Sequence, residues 1–280
     1  MSSPSFAHSP TREGRQEVLR LAVALGAVVA LMTPIAAHRN DVSPGTLSYL
    51  LVDAATGHVL DAHWDDLERP LPIGSLIKPF TALAYADSHR FTYPTFTCRG
   101  SRDGCWLPAG HGRVGIVEAV AGSCNAYFRQ LAQRTAPDAL VARLQWFGMR
   151  ADPAAATPAA MVGFGDALKL APSALIHGYL ELVSRAGQPG VSPILQGMRE
   201  SARAGTGRGV GAAVGGADAL VKTGTAPCSH SPRAMADGYT IVIYPADRPR
   251  VVLLMQAHGR TGAETAVFAG ELLTSALGTR

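Results

Sequence analysis

No stretch of this sequence gathers lysine and arginine into a dense stripe; the arginines are scattered, so the formal net charge of +4 describes a solvated basic surface and excludes a nucleic-acid partner. Charge of either sign is scarce, 16% of residues against 47% hydrophobic, which excludes disorder and leaves apolar material for one sizeable core. No Cys-x-x-Cys or His-x-x-x-His spacing occurs. Spacing therefore suggests no metal site and no cofactor, and the nine histidines read individually as surface or core residues. There is no internal repeat, which leaves a single folded domain as the expectation.

What is present begins at the N-terminus. Arg12, Arg15 and Arg20 precede the apolar run Leu21 to Met32, closed by Thr33-Pro34-Ile35-Ala36-Ala37, the layout of an export signal. From Leu21 to Ala37 the run reaches the lower edge of spanning length, roughly 17 residues, and the small residues Ala36 and Ala37 make a cleaved signal the expectation. An uncleaved anchor, the chain's sole membrane contact, is the alternative. No Cys follows to accept lipid, and no Arg-Arg pair precedes. Residues 1–40 thus read as signal or anchor plus linker, and 41–280 as the folded domain. Export places Cys98, Cys105, Cys124 and Cys228 where disulfides persist. Cys98 and Cys105, flanking a loop with Gly100, Asp103 and Gly104, are the expected pair, although four cysteines allow three pairings. Cys124 and Cys228 read as packing residues.

Ser48 to Asp53 and His58 to Trp64 are β-prone runs around the turn Ala54-Ala55-Thr56-Gly57, a hairpin. From about Leu76 to Val183 the chain is rich in Ala and Leu at helical spacing, as in Ile116, Val117, Val120 and then Tyr127, Phe128, Leu131. Three further strand-like runs follow, Ala219 to Thr225, Tyr239 to Tyr244 and Val251 to Gln256, and then an amphipathic helix over Thr265 to Leu277. The Gly/Ala-rich stretch Ala202 to Ala217 reads as a flexible connection. These elements predict an α+β fold: an antiparallel sheet of N- and C-terminal strands, a helical insertion between them and a terminal helix over one face. The active site is expected where sheet and helical part meet.

Three motifs carry chemistry. Ser75-Leu76-Ile77-Lys78 sets a hydroxyl and an amine on one face of a helix whose start Pro79 marks. A serine there sits at the positive end of the helix dipole, and Lys78 acts as a base only if burial or a nearby cation keeps it neutral. By itself the pattern is weak, since about one Ser-x-x-Lys arises by chance in a chain of this length. Ser123-Cys124-Asn125 interrupts an Ala/Val run between helices, where a sharp turn can aim both polar side chains one way, though Ser or Asn at such a junction caps a helix more often than it catalyses. Lys222-Thr223-Gly224-Thr225 ends a β-prone run. Alternation sends Lys222 and Gly224 to the side opposite Thr223 and Thr225, and Gly224 permits a close backbone approach. A strand edge with a cation, hydroxyls and a free N–H suits a peptide carboxylate and an acyl oxyanion.

In this order and spacing the three motifs resemble those of the serine penicillin-recognising family, which includes penicillin-binding proteins and serine β-lactamases. The likeness is nearest to class B monofunctional transpeptidases: Gly74 to Pro79 is similar to their nucleophile helix, Gly110-His111-Gly112 through Ser123 to Phe128 to their middle motif, and Lys222 to Ala226 to their strand. Gly163-Phe164-Gly165, Pro172 and Tyr179 resemble another stretch of those enzymes. The resemblance implies that Ser75 attacks a D-Ala-D-Ala carbonyl, Lys78 takes its proton, Ser123 relays a proton to the leaving amine and Asn125 holds the substrate amide. It implies that Lys222, Thr223 and Thr225 bind the terminal carboxylate, that the N–H groups of Ser75 and Thr225 form the oxyanion hole, and that Lys222 keeps Lys78 neutral.

Two departures bear on the class. Only about forty residues precede the first strand, where class B enzymes carry a large pedestal. The Glu-x-x-x-Asn loop of class A β-lactamases and a Tyr-Gly-Asn are both missing. The expectation is an exported D,D-transpeptidase or D,D-carboxypeptidase, periplasmic or on the outer membrane face. Its partners would be peptidoglycan stem peptides, β-lactams and cell-wall assembly proteins. A β-lactamase, or a non-catalytic β-lactam or muropeptide sensor, is the alternative.

Overall fold

The computed structural model describes residues 47–216, 218–228 and 236–278; the expected export segment and linker lie outside them. Its principal sheet is antiparallel and runs from edge to edge as β2 (Val59–His63), β1 (Leu47–Asp53), β9 (Val251–His258), β8 (Asp237–Tyr244) and β7 (Leu220–Ala226). First and last segments of the domain meet in register, Leu50 opposite Leu254, and Leu254 in turn opposite Ile241. The N-terminal hairpin turns where the Asp53 carboxylate accepts from the N–H groups of Ala55 and Thr56 at 3.0 and 2.9 Å.

The central strands read as unbroken apolar runs because both faces are covered. Leu50, Val52, Ile241, Ile243, Val252 and Leu254 face the larger core beneath the helical part, while the alternate residues Leu51, Val242, Leu253 and Met255 face a second core. The terminal helix α9 (Gly262–Gly278) closes that second face with Ala266, Ala269 and Leu273. Full burial of a side chain such as Leu253 contributes about 1.5–3 kcal/mol.

The helical part comprises α1 (Lys78–Ser88), α2 (Ile116–Ala121), α3 (Asn125–Ala132), α4 (Pro137–Trp146), α5 (Pro158–Val162) and α6 (Pro172–Ser184). Pro137, Pro158 and Pro172 open three of these, where a missing N–H costs nothing. Two short strand pairs, β3 (Leu71–Pro72) with β6 (Lys169–Leu170) and β4 (Phe96–Cys98) with β5 (Gly112–Val114), brace the approaches to the motifs. The α+β architecture is therefore the expected one.

The stretch Ala202 to Ala217 departs from expectation. Instead of a flexible connection it completes α7 (Val191–Ala204) and forms α8 (Arg208–Ala213). Its small residues serve packing: a Cβ on Gly209 would stand 2.8 Å from Val267 N, and one on Gly270 would stand 2.6 Å from Ala213 Cβ, so α8 and α9 approach almost backbone to backbone. Among the described residues, no helix is long and apolar enough to cross a membrane.

Candidate active site

The three motifs converge. A single 3₁₀ turn, Gly74–Ile77, precedes α1 and carries Ser75 to the floor of a cleft of about 320 Å³. Gly74 adopts φ +54°, and a Cβ there would lie 2.3 Å from Thr225 O, so only glycine lets this turn lie against β7. Tyr179 holds the turn from beneath, its buried hydroxyl donating to Leu76 O at 2.8 Å. Ser123, Asn125, Thr223, Gly224 and Thr225 line the same cleft, joined by Gly163, Phe164, Trp106, Thr206 and Thr261. A larger groove of about 820 Å³, lined by Leu180, Leu195, Arg199 and Asp247 among others, lies away from the motifs. Convergent chemistry, not size, selects the smaller one.

Lys78 is fully buried at the start of α1. Its Nζ donates to Ser123 O at 2.8 Å and Asn125 Oδ1 at 2.6 Å, and lies 3.2 Å from Ser123 Oγ. Burial pulls its pKa down to about 7, against an opposing pull from the Cys124 and Cys105 thiols. A neutral amine has two hydrogens and one lone pair. The hydrogens serve Ser123 O and Asn125 Oδ1, and the lone pair is left for a hydroxyl proton. Among the described residues no hydrogen bond joins Lys78 Nζ to Ser75 Oγ; the amine turns to Ser123 and Asn125.

Ser123 occupies the turn between α2 and α3 at φ +49°, a left-handed conformation costing a non-glycine residue of order 1 kcal/mol. That turn aims its hydroxyl between the two lysines. Lys222, also fully buried, donates to Ser123 Oγ at 3.0 Å and to Thr223 O at 2.6 Å. Burial, then the charge of Lys78, holds Lys222 well below the ordinary lysine range. Burial, rather than the field of Lys222 implied by the resemblance, is thus the main cause of the near-neutral pKa of Lys78. Lys222 also lies behind the cleft wall rather than in it; the hydroxyl-bearing Thr223 and Thr225 face the opening, as strand alternation requires.

Three lining residues carry no recognisable sequence signal. Thr206 comes from the stretch read as flexible, and its Oγ1 accepts from Thr223 Oγ1 at 2.6 Å. Thr261 stands just before α9, whose first N–H, on Gly262, donates to Thr225 Oγ1 at 2.9 Å. Trp106 is half exposed at the rim, its Nε1 donating to Gly122 O at 3.0 Å and its ring edge-on to His111.

The cysteines also differ from expectation. Cys98, Cys105 and Cys124 are thiols, and Cys98 and Cys105 form no disulfide. Instead Cys98, Cys105, His111 and Cys124 bring four ligand atoms within 4.8 Å of one another. His111 Nδ1 lies 3.6 and 3.5 Å from Cys98 and Cys105 Sγ, and Cys105 and Cys124 share an S–H···S hydrogen bond of 3.9 Å. That hydrogen bond and His111 draw Cys105 far toward thiolate, while the same bond and burial hold Cys124 protonated. A tetrahedral Zn²⁺ with three sulfurs and one nitrogen sets such atoms roughly 3.5–3.8 Å apart, so this donor set fits zinc. The spacing argument missed it because ligands from β4, a loop and the Ser123 turn follow no short repeat. Cys124, between Ser123 and Asn125, links this cluster to the cleft.

The fold is that of penicillin-binding protein transpeptidase domains. Residues 47–184 match the model of the penicillin binding protein transpeptidase domain. The chain resembles penicillin-binding protein 2 of Pseudomonas aeruginosa with a TM-score of 0.64 at 19% identity, over 79% of this chain and 69% of that one. Against the D,D-transpeptidase domain of a peptidoglycan glycosyltransferase from Eggerthella lenta the TM-score is 0.67 at 17% identity, over 84% and 78%. Against Helicobacter pylori penicillin-binding protein 2, solved as a complex with MreC, it is 0.67 at 14% identity, over 82% and 60%. A search of curated protein sequences finds no match.

Proposed function

We propose that the protein is an exported serine D,D-transpeptidase or D,D-carboxypeptidase that acts on peptidoglycan stem peptides and is acylated by β-lactams. The observation that carries this reading is the buried amine of Lys78, near neutrality and bonded to Ser123 and Asn125, which line one cleft with Ser75. In the proposed reaction Ser75 Oγ attacks the penultimate D-Ala carbonyl and its proton passes to Lys78. The N–H groups of Ser75 and Thr225 hold the oxyanion. Collapse breaks the C–N bond, and the departing amine takes its proton through Ser123, which two lysines flank. An amine acceptor or water then releases the acyl group from Ser75.

Thr223 and Thr225 would hold the terminal carboxylate at the open edge of β7, where an extended peptide can pair as an added strand. The amide N–H₂ of Asn125, whose oxygen is engaged by Lys78, would serve the substrate backbone. Resemblance to a relative solved with MreC supports cell-wall assembly proteins as partners. The test is mass spectrometry after brief penicillin exposure. We expect a single penicilloyl adduct on Ser75, absent from Ser75→Ala; an undiminished adduct on that variant would refute the assignment. Fast loss of the adduct with sustained β-lactam turnover would indicate a β-lactamase instead.

A further inference from the structure

We propose a second divalent-cation site, selective for zinc-like ions, formed by Cys228, Asp237 and His258 where β7, β8 and β9 end side by side. Their ligand atoms lie within 4.8 Å of one another. Asp237 begins β8 opposite Ala226 and is fully buried, an environment a carboxylate tolerates only with close partners. Its Oδ2 accepts from Gln256 Nε2 at 3.0 Å, and its Oδ1 lies 2.8 Å from His258 Nδ1. Cys228 Sγ approaches the same nitrogen at 3.4 Å.

The convergence on one nitrogen separates two chemistries. A thiol nucleophile activated through a thiol–imidazole–carboxylate relay needs the carboxylate on one ring nitrogen and the thiol on the other. Here Oδ1 and Sγ both lie nearest Nδ1, and Nε2 is farther from the sulfur, at 3.9 Å. An ion held by sulfur, nitrogen and carboxylate oxygen resolves this crowding. Tetrahedral Zn²⁺ sets S···N at roughly 3.5 Å, close to the observed contact, and asks the His–Asp contact to open by about half an ångström. One soft and two borderline-to-hard donors exclude Mg²⁺ and Ca²⁺, and these three side chains would supply three of the four ligands of a tetrahedral zinc ion. Thr225 lies one residue before Ala226, so an ion here would pin the end of the strand that lines the cleft.

The full chain, dialysed against ZnCl₂ and then zinc-free buffer, would be assayed for bound zinc by elemental mass spectrometry. Cys228→Ser and His258→Gln, both at half-buried positions, are expected to lose one zinc equivalent per chain, with circular dichroism verifying the fold. A Cys98→Ser/Cys105→Ser variant is expected to keep that equivalent, which separates this site from the cluster beside Ser123. Zinc-edge anomalous scattering from wild-type crystals should place a peak among the three side chains, whatever the behaviour of the variants. Unchanged zinc content in folded Cys228→Ser and His258→Gln, or no anomalous peak at this position, would overturn the proposal.

Discussion

Lys78 and Lys222 reach the same oxygen from opposite sides: their Nζ atoms lie 3.2 and 3.0 Å from Ser123 Oγ. Both lysines are fully buried, so the hydroxyl between them can donate to one amine while accepting from the other. Proton traffic in the proposed reaction depends on that position.

Acylation should follow the protonation of Lys78. Because burial lowers its pKa to about 7, the penicillin acylation rate is expected to rise about tenfold per pH unit below that value and level off above it. Stability should change in the same sense over a higher range. The unfolded lysine keeps its proton to about pH 10.4, so between about 7 and 10 the unfolded chain binds the additional proton and unfolding free energy increases with pH. Stopped-flow acylation and urea titrations across pH 5–10 measure both; a flat acylation profile would remove Lys78 from the base role.

Ser123→Ala should lower acylation by about 10²–10⁴-fold, the usual scale of a lost proton relay, with far-UV circular dichroism unchanged. Single-turnover labelling reads this directly. A loss of less than threefold would show that the hydroxyl is not on the proton path.

Gly74→Ala combines a left-handed φ with a Cβ placed 2.3 Å from Thr225 O. Destabilisation of at least about 2 kcal/mol is expected, because the backbone term alone costs about 1–2 kcal/mol and the contact must be relieved by parting the turn from β7. Urea unfolding gives the stability, and acylation should fall with it because the Ser75 and Thr225 N–H groups move apart.

Zinc removal should act on the turn that holds Ser123. Cys98, Cys105, His111 and Cys124 tie β4 and the Trp106 loop to that turn when an ion bridges them. Treating the zinc-loaded Cys228→Ser variant with a chelator should therefore lower its melting temperature by several degrees, about 2–4 °C per kcal/mol for a domain of this size. Equal melting curves with and without chelator would leave the cluster without a structural ion.

Much of the site was legible because its parts are periodic. Lys222 and Thr223 part by strand alternation, a local relation that the structure keeps, whereas Ser75 lies in a 3₁₀ turn and the Lys78 amine turns to Ser123 and Asn125. Ser123 could be read as a turn residue, but its left-handed backbone and two lysine partners come from segments 45 and 99 positions away in sequence.

Composition misled where packing supplies the order. Residues 202–217 are rich in glycine and alanine, which reads as flexibility when counted and as close helix contact once α9 lies against α8. The cysteines misled for a related reason: proximity in sequence suggested Cys98 with Cys105, whereas the sulfur nearest Cys105 in the hydrogen-bond pattern belongs to Cys124.

The amino-acid sequence alone determined the order of the five principal strands, the helical middle and the terminal helix, together with the three motifs, since each is legible in a short window. Tertiary structure decided which oxygen the lysines share, how far burial shifts them, and which thiols and imidazoles meet. Those depend on desolvation and on contacts between distant segments, and neither is encoded in any short window of the chain.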